Sequence, residues 1–250
     1  MLMKKLSLLA ILIFCFSLNQ SLAQFEGKIR FQDYEIKSGD KQKDDDAFTM
    51  FVTKDRILLK GDKGYKVGGS LETEGVLIRH KEKDFVFMTG EKEAMSISKS
   101  GITSFMNMFG GDARGELKQA ESNIKIKKTG ESKKLNGYSA EKFVITDRKK
   151  PAARSEVWMT KAVDINWGIL AESWGDNLKG FTGSELPLDL IFNEGYFPIL
   201  WEQYENDTLT DVVETEITAT DIAREMVEIS SDVKVLSFQN YLFEQMRKKQ

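Results

Sequence analysis

The sequence predicts a mostly β fold: a single curved antiparallel sheet, or half-barrel, with a few helices against its concave face. Short runs rich in Val, Ile, Phe, Tyr and Thr recur along the chain, and turn dipeptides or glycines separate them. Apolar and polar side chains alternate in the clearest of these runs, whereas helical periodicity is confined to a few segments. This pattern is typical of roughly ten strands in a meander with helices packed on one face, and a closed barrel is the alternative.

The middle of the predicted meander is a hairpin that turns at Asn136-Gly137. Both residues tolerate the positive φ angles that a two-residue hairpin turn requires. The flanking run 128–147 is rich in strand-forming residues, and another such run follows at 155–160. We therefore expect consecutive antiparallel strands in this part of the chain.

The remaining strands follow the same pattern. Apolar residues at 25, 27, 29 and 31 alternate with polar ones, which predicts a strand with one buried and one solvated face. The glycines between residues 61 and 69 are interpreted as turn residues. Further strands are predicted at 48–53, 56–60, 76–79, 84–88, 93–98 and 122–127, and in a second hairpin, 196–204 and 209–217, that turns at Asn206-Asp207.

Two segments show helical periodicity. Apolar residues recur three and four positions apart over residues 167–178, which predicts the strongest helix of the chain, with Asp164 or Asn166 as its cap. Residues 238–246 predict a short terminal helix. Residues 222–229 fit either a helix or a strand.

The first 23 residues have the pattern of a secretory signal peptide. Two lysines precede an apolar run that is too short to span a bilayer comfortably, and small residues lead to a cleavage site after Ala23. An uncleaved membrane anchor is the alternative. Cys15 follows Phe14 rather than the small residue that lipoprotein processing requires. We therefore expect a periplasmic or secreted protein with no transmembrane segment in its mature chain, residues 24–250, which forms a single β-rich domain.

Charge and composition narrow the functional classes. The whole chain has a formal charge of −3, from 36 basic and 39 acidic residues, and loss of the two lysines of the signal peptide leaves 34 − 39 = −5. Charges of both signs are interspersed, which argues against nucleic acid as a partner. The only cysteine leaves with the signal peptide, so the mature chain has neither a disulfide nor thiol chemistry.

The sequence contains no recognisable catalytic or metal-binding motif. His80 is the sole histidine and has no patterned partner, which favours a surface or packing role over general base catalysis. Zinc would require cysteines or further histidines. Asp40 and residues 44–46 lack the glycine and terminal glutamate of a calcium loop and are interpreted as a solvated loop. We expect no cofactor and no enzymatic activity; a hydrolase with a site that the spacing does not reveal is the alternative.

The candidate ligand-binding residues are apolar. A segment rich in Met and Phe, flanked by glycines at 101 and 110–111, can adapt its shape and is interpreted as a lid over an apolar groove, or else as a core plug or loop. The apolar face of the predicted helix 167–178 has two interpretations as well, ligand contact or packing alone. The predicted ligand contacts are Phe105, Met106, Met108, Phe109, Trp167 and Trp174, together with Met88 and Met95 from two predicted strands.

Four segments together resemble one family of secreted bacterial proteins: Thr129–Phe143, Glu156–Lys161, Phe25–Ile29 and Lys92–Met95. These residues resemble the signature regions of domain-of-unknown-function family 4412, over most of the mature chain. Such proteins are similar in strand order to the LolA/LolB lipoprotein carriers, so the resemblance implies a LolA-like half-barrel whose helices cover an apolar cavity. The resemblance identifies no functional residue in this chain. The stretch Trp167–Pro198, which looks like an insertion, departs from the family pattern.

These observations predict a non-enzymatic protein of the cell envelope. Its concave face would bind an apolar or amphipathic ligand, such as a lipid or the acyl chain of a lipoprotein. The alternative is an interaction module with no small ligand, whose sheet edge or C-terminal helix binds another envelope protein.

Overall fold

The computed structural model describes residues 24–45, 47–67, 71–102, 104–105, 124–173 and 187–248. The predicted signal peptide, residues 1–23, lies outside the described residues. Within the described part of the chain, no helix is both long enough and apolar enough to cross a membrane.

Thirteen strands and a few short helices make up the described chain. The strands are β1 Gly27–Lys37, β2 Asp40–Lys43, β3 Phe48–Val52, β4 Arg56–Val67, β5 Leu71–Arg79, β6 Asp84–Gly90, β7 Glu93–Ser98, β8 Ile124–Leu135, β9 Tyr138–Asp147, β10 Lys150–Thr160, β11 Phe197–Glu205, β12 Thr208–Ala219 and β13 Lys234–Ser237. The helices are α1 Gly168–Ser173, α2 Leu188–Phe192 and α3 Phe238–Lys248, and 3-10 turns span Lys99–Gly101 and Arg224–Val227.

The strands form one curved, open sheet, which confirms the predicted fold class. Their order is β13-β7-β6-β5-β4-β3-β1-β12-β11-β10-β9-β8, with β2 paired to β1 beside this path. Neighbouring strands are antiparallel except β13, which runs parallel to β7. Strand β1 lies between β3 and β12 and therefore joins the two halves of the sheet.

Both predicted hairpins are confirmed. Leu135 pairs with Tyr138 across Asn136-Gly137, and these two turn residues have φ angles of 49° and 88°. The β11–β12 turn at Asn206-Asp207 also has two positive φ angles, 48° and 61°. Positive φ at both turn positions matches the right-handed twist of the flanking strands.

Some local predictions need correction. Gly61 and Gly64 are not turn residues, because both lie inside β4, where the register with β5 shifts between Lys60 and Tyr65. Residues 222–229 contain a 3-10 turn, and the predicted terminal helix is confirmed as α3. Helix α1 covers the first part of the predicted 167–178 helix, whose remainder lies outside the described residues.

Apolar side chains are buried on both faces of part of the sheet, because strands such as β5 and β6 contain continuous buried runs and successive side chains of a strand point to opposite faces. The concave face, covered by α1 and α2, holds two clusters that Trp167, Leu188 and Phe192 connect. On the opposite face, the segment that contains Arg224–Val227 covers a third cluster around Leu77.

Candidate ligand-binding site

A cavity of about 430 Å³ lies on the concave face. Its floor is formed by strands β1, β3, β4, β11 and β12, and its roof by Trp167, Leu170 of α1, and Leu188, Ile191 and Phe192 of α2. Asp33, Gln203 and Thr215 are the polar side chains among its described lining residues. The cavity is therefore lined almost wholly by aliphatic and aromatic groups.

An aromatic row forms one wall of the cavity. The ring of Phe31 stacks on Phe48 with centroids 4.5 Å apart and lies 6.0 Å from Phe197. Phe197 stacks at 6.4 Å with Trp167, which meets Phe192 edge-on at 5.2 Å. These distances fall within the favourable range for aromatic pairs. The row links the sheet to both roof helices and ends at Phe48, which is 40% exposed.

Strand register determines which side chains form the floor. Phe31 of β1 lies opposite Thr215 of β12, and Asp33 lies opposite Val213. Val213 in turn lies opposite Trp201 of β11. Directly opposite residues of antiparallel strands share a face of the sheet, so these pairs place their side chains together on the concave face.

Of the predicted ligand contacts, Trp167 lines the cavity. Met95 and Phe105 belong to the concave-face core, are fully buried and do not line the cavity; Phe105 packs against Phe87 and Phe238. Met88 packs in the cluster on the opposite face. The others, Met106, Met108, Phe109 and Trp174, lie outside the described residues.

Sequence reasoning missed most of the aromatic wall. Alternation in the first strand did indicate that Phe31 faces inward, and Phe197 falls in a predicted strand. Nothing in the sequence indicates that β1 and β12 are neighbours, because their residues are about 180 positions apart. Among the lining residues that were not predicted as ligand contacts are Phe31, Phe48, Leu188, Ile191, Phe192 and Phe197.

Other polar groups on the molecule have structural explanations. Lys128 pairs with Glu141 at 2.8 Å, and the Tyr196 hydroxyl donates to Glu141 at 2.6 Å. The hydrogen bond from Lys128, and to a smaller extent that from Tyr196, holds the pKa of Glu141 below its ordinary value. Both side chains of the Lys128–Glu141 pair are exposed to solvent. Exposed ion pairs of this kind contribute little to stability. Within the described ranges, no group of three or more His, Cys, Asp or Glu side chains is placed to hold a metal ion.

His80 packs beneath the start of α1. Both of its ring nitrogens are buried, and neither makes a well-aligned hydrogen bond with a described residue, although the backbone of Asn166 acts on the ring as a weak hydrogen-bonding group. Gly168 has a φ angle of 43°, and a Cβ atom there would lie 2.4 Å from the Nδ1 atom of His80, so a side chain would strain the backbone and displace the ring. Burial lowers the pKa of His80, and the backbone of Asn166 and the nearby carboxylates offset this shift only in part. The ring therefore packs against the helix that carries part of the cavity roof.

A family model described as a domain of unknown function, DUF4412, matches residues 26–232. No curated protein matches the chain. Among solved structures, PNGF-II is 13% identical with a TM-score of 0.41, over 88% of this chain and 33% of that one, so the chain spans about a third of it. The Pseudomonas aeruginosa MucA/MucB complex is 9% identical with a TM-score of 0.40, over 86% and 59%. An uncharacterised conserved protein from Thermus thermophilus is 10% identical with a TM-score of 0.38, over 85% and 91%.

Proposed function

The chain belongs to the family described as domain of unknown function DUF4412, and we propose that it is a non-enzymatic protein of the cell envelope that binds an apolar or amphipathic ligand on its concave face. The ligand is a lipid or the acyl chain of a lipoprotein. The protein acts in the periplasm or outside the cell, after cleavage of the segment 1–23.

The observation that carries this proposal is the cavity itself. Its volume, about 430 Å³, is within the range of about 300 to 1,000 Å³ that is usual for small-molecule sites. Water inside it would find few hydrogen-bond partners, because Asp33, Gln203 and Thr215 are the polar side chains of its described lining. An apolar chain in the cavity would instead be removed from water against aromatic and aliphatic side chains.

Within this proposal the predicted contacts have different roles. Trp167 touches the ligand directly, because its ring lies in the cavity wall between Phe192 and Phe197. Met95 and Phe105 support the neighbouring core. Met88 contributes to packing on the opposite face. The roles of Met106, Met108, Phe109 and Trp174 stay predictions.

Native mass spectrometry of protein purified from its own envelope tests the proposal, with a bound lipid or acyl chain as the expected result. A second assay measures displacement of a polarity-sensitive apolar dye from delipidated protein. Val213→Phe fills part of the cavity floor, so we expect dye affinity to fall at least about tenfold, or about 1.4 kcal/mol.

The matched control is Val235→Phe, at a position that is 42% exposed on the edge strand β13. It makes the same substitution away from the cavity, and dye affinity should not change. Equal dye affinity in both variants, or a wild-type protein that carries no ligand and takes up no dye, would contradict the proposal.

A second candidate function is binding of another envelope protein. The outer side of α3 exposes Phe243 and Met246, which are 62% and 55% exposed, and the adjoining strand β13 exposes Val235. A photo-crosslinking residue at position 243 would test this in cells. A specific crosslinked protein that disappears in Met246→Glu is the expected result, and absence of any crosslink contradicts it.

A further inference from the structure

His80 is not a lining residue of the cavity, but it contacts the segment that carries part of the roof. It directly follows β5, and its backbone N–H donates to the carbonyl oxygen of Asp55 at 3.0 Å. Its imidazole ring lies against Gly168, the first residue of α1. Trp167, which precedes this glycine, and Leu170 of α1 both line the cavity. The ring therefore supports the backbone between two roof residues.

The surroundings of His80 suit a neutral ring. The residue as a whole is half-buried, but both ring nitrogens are buried, and the backbone of Asn166 is only a weak hydrogen-bonding group for them. Burial accordingly lowers the pKa of His80. A protonated imidazole has two N–H donors and a charge, and its burial without good acceptors costs free energy. Protonation therefore favours a conformation in which the ring reaches water.

The charged groups around the ring do not supply an unpaired counter-ion. The carboxylates that act on it are those of Asp55 and of Glu172 in α1. Asp55 pairs with Lys81 at 2.6 Å, and Glu172 pairs with Lys99. The further cations that act on these two carboxylates include Arg56 and Lys83. Little net negative charge therefore remains to stabilise a protonated ring in this position.

On this basis we propose that protonation of His80 loosens α1 and opens the cavity roof, so that the protein releases its apolar ligand in acidic surroundings. This inference rests on the proposed function, because it concerns the same cavity. At neutral pH the uncharged ring packs against Gly168 and keeps the roof closed. Below about pH 6.5, the ordinary pKa of histidine, proton uptake favours the state in which the ring has left Gly168. The ligand and the proton thereby oppose each other's binding.

Release of N-phenyl-1-naphthylamine tests this inference. This apolar fluorescent dye stays uncharged between about pH 7 and 5, so a change in its binding reports on the protein. Its dissociation from delipidated protein is measured by stopped-flow fluorescence at several pH values. We expect the dissociation rate to rise several-fold on acidification to about pH 5, and by at most about tenfold per pH unit, because a single proton is involved.

Hydrogen exchange gives a second measurement that needs no ligand. After correction for the intrinsic pH dependence of exchange, the amides of α1 should lose protection several-fold between about pH 7 and 5. Low concentrations of denaturant should not change their exchange, as is expected of a local opening rather than global unfolding.

His80→Phe keeps an aromatic ring beside Gly168 but cannot take up a proton. Its dye dissociation and its α1 exchange should therefore not depend on pH, and the same is expected of His80→Gln. No other imidazole of the chain titrates, because His80 is its only histidine. The matched control, Asp207→Asn, removes an exposed titratable group in the β11–β12 turn and should keep the pH response of the wild-type protein. Circular dichroism checks that every variant is folded.

The outcomes separate this inference from the proposed function. If the wild-type protein binds the dye but releases it at one rate at pH 7 and 5, or if α1 keeps its protection, the inference is wrong and the apolar site stands. A pH response that persists in folded His80→Phe also overturns it. The two wild-type measurements decide alone if a variant does not fold. If the folded wild-type protein takes up no dye at neutral pH, both proposals fail together.

Discussion

His80 is the one histidine of the chain, and its environment gives the protein a specific pH dependence. Burial lowers the pKa of His80, which Asn166 and the carboxylates of Asp55 and Glu172 offset in part. An unfolded histidine has a pKa of about 6.5, so below that pH the unfolded chain binds a proton that the folded chain does not. We therefore expect the free energy of unfolding to fall as the pH drops from about 7 towards 5, by at most about 1.4 kcal/mol per pH unit.

Denaturant unfolding at several pH values measures this slope, and an NMR titration of the single imidazole measures its pKa directly. His80→Gln should remove the slope between about pH 7 and 5, whatever its effect on stability at neutral pH. Salt bridges with Lys81 and Lys99 lower the pKa values of Asp55 and Glu172, so the stability these carboxylates add is lost only at more acidic pH. A wild-type stability that is flat or rises on acidification to pH 5 would show that the ring is not buried as described.

At the scale of the element, the positive φ angles of the β8–β9 turn affect the stability of the hairpin, and a substitution at Gly137 tests this effect. Its φ angle is 88°, and a Cβ atom there would meet nothing within 4 Å, so the only obstacle to a side chain is the backbone conformation. We expect Gly137→Ala to reduce the free energy of unfolding by about 1 kcal/mol. Thermal or denaturant unfolding measures it.

Gly90, at the end of β6, is the matched control. A Cβ atom there would also meet nothing within 4 Å, but its φ angle is not positive. Gly90→Ala should therefore be neutral or slightly stabilising, because alanine narrows the unfolded ensemble. Equal losses of stability at positions 137 and 90 would mean that the turn geometry is not the cause.

Elements set by local chemistry could be predicted from the sequence. The Asn136-Gly137 and Asn206-Asp207 turns are at the predicted positions, because positive φ is a property of the turn residues themselves. The glycines of β4 could not be assigned in this way, because a shift of register and a turn use the same residue type. The parallel pairing of β13 with β7 depends on contacts about 140 residues apart, which no local pattern encodes.

The candidate site was predictable only in part, for the same reason. Alternation indicates which residues of a strand share a face, so it identified Phe31 as inward-facing. It cannot indicate that Phe31 lies beside Thr215, which requires the pairing of β1 with β12. Composition selected apolar residues such as Met88 and Met95, but which of two buried faces borders a cavity depends on the whole sheet.

At the scale of the whole molecule, β1 joins the two halves of the sheet, because it pairs with β3 on one side and β12 on the other. Ile29, the third residue of β1, is fully buried in the concave-face core. The two concave clusters also share Trp167, Leu188 and Phe192. These connections predict that residues 24–250 unfold as one cooperative domain.

Two probes on opposite halves test this prediction. In a variant with Trp167 and Trp174 replaced by Phe, tryptophan fluorescence reports on the half that holds Trp158 of β10 and Trp201 of β11, and hydrogen exchange of amides in β4–β7 reports on the other half. Both probes should give the same denaturant midpoint.

Ile29→Ala should lower the free energy of unfolding by about 3 kcal/mol as measured by either probe, because it leaves a cavity where the halves meet. The control Val235→Ala, at an exposed position, should leave the free energy of unfolding unchanged by both measurements. Different midpoints, or a loss of stability in one half alone after Ile29→Ala, would mean that the halves are separate folding units.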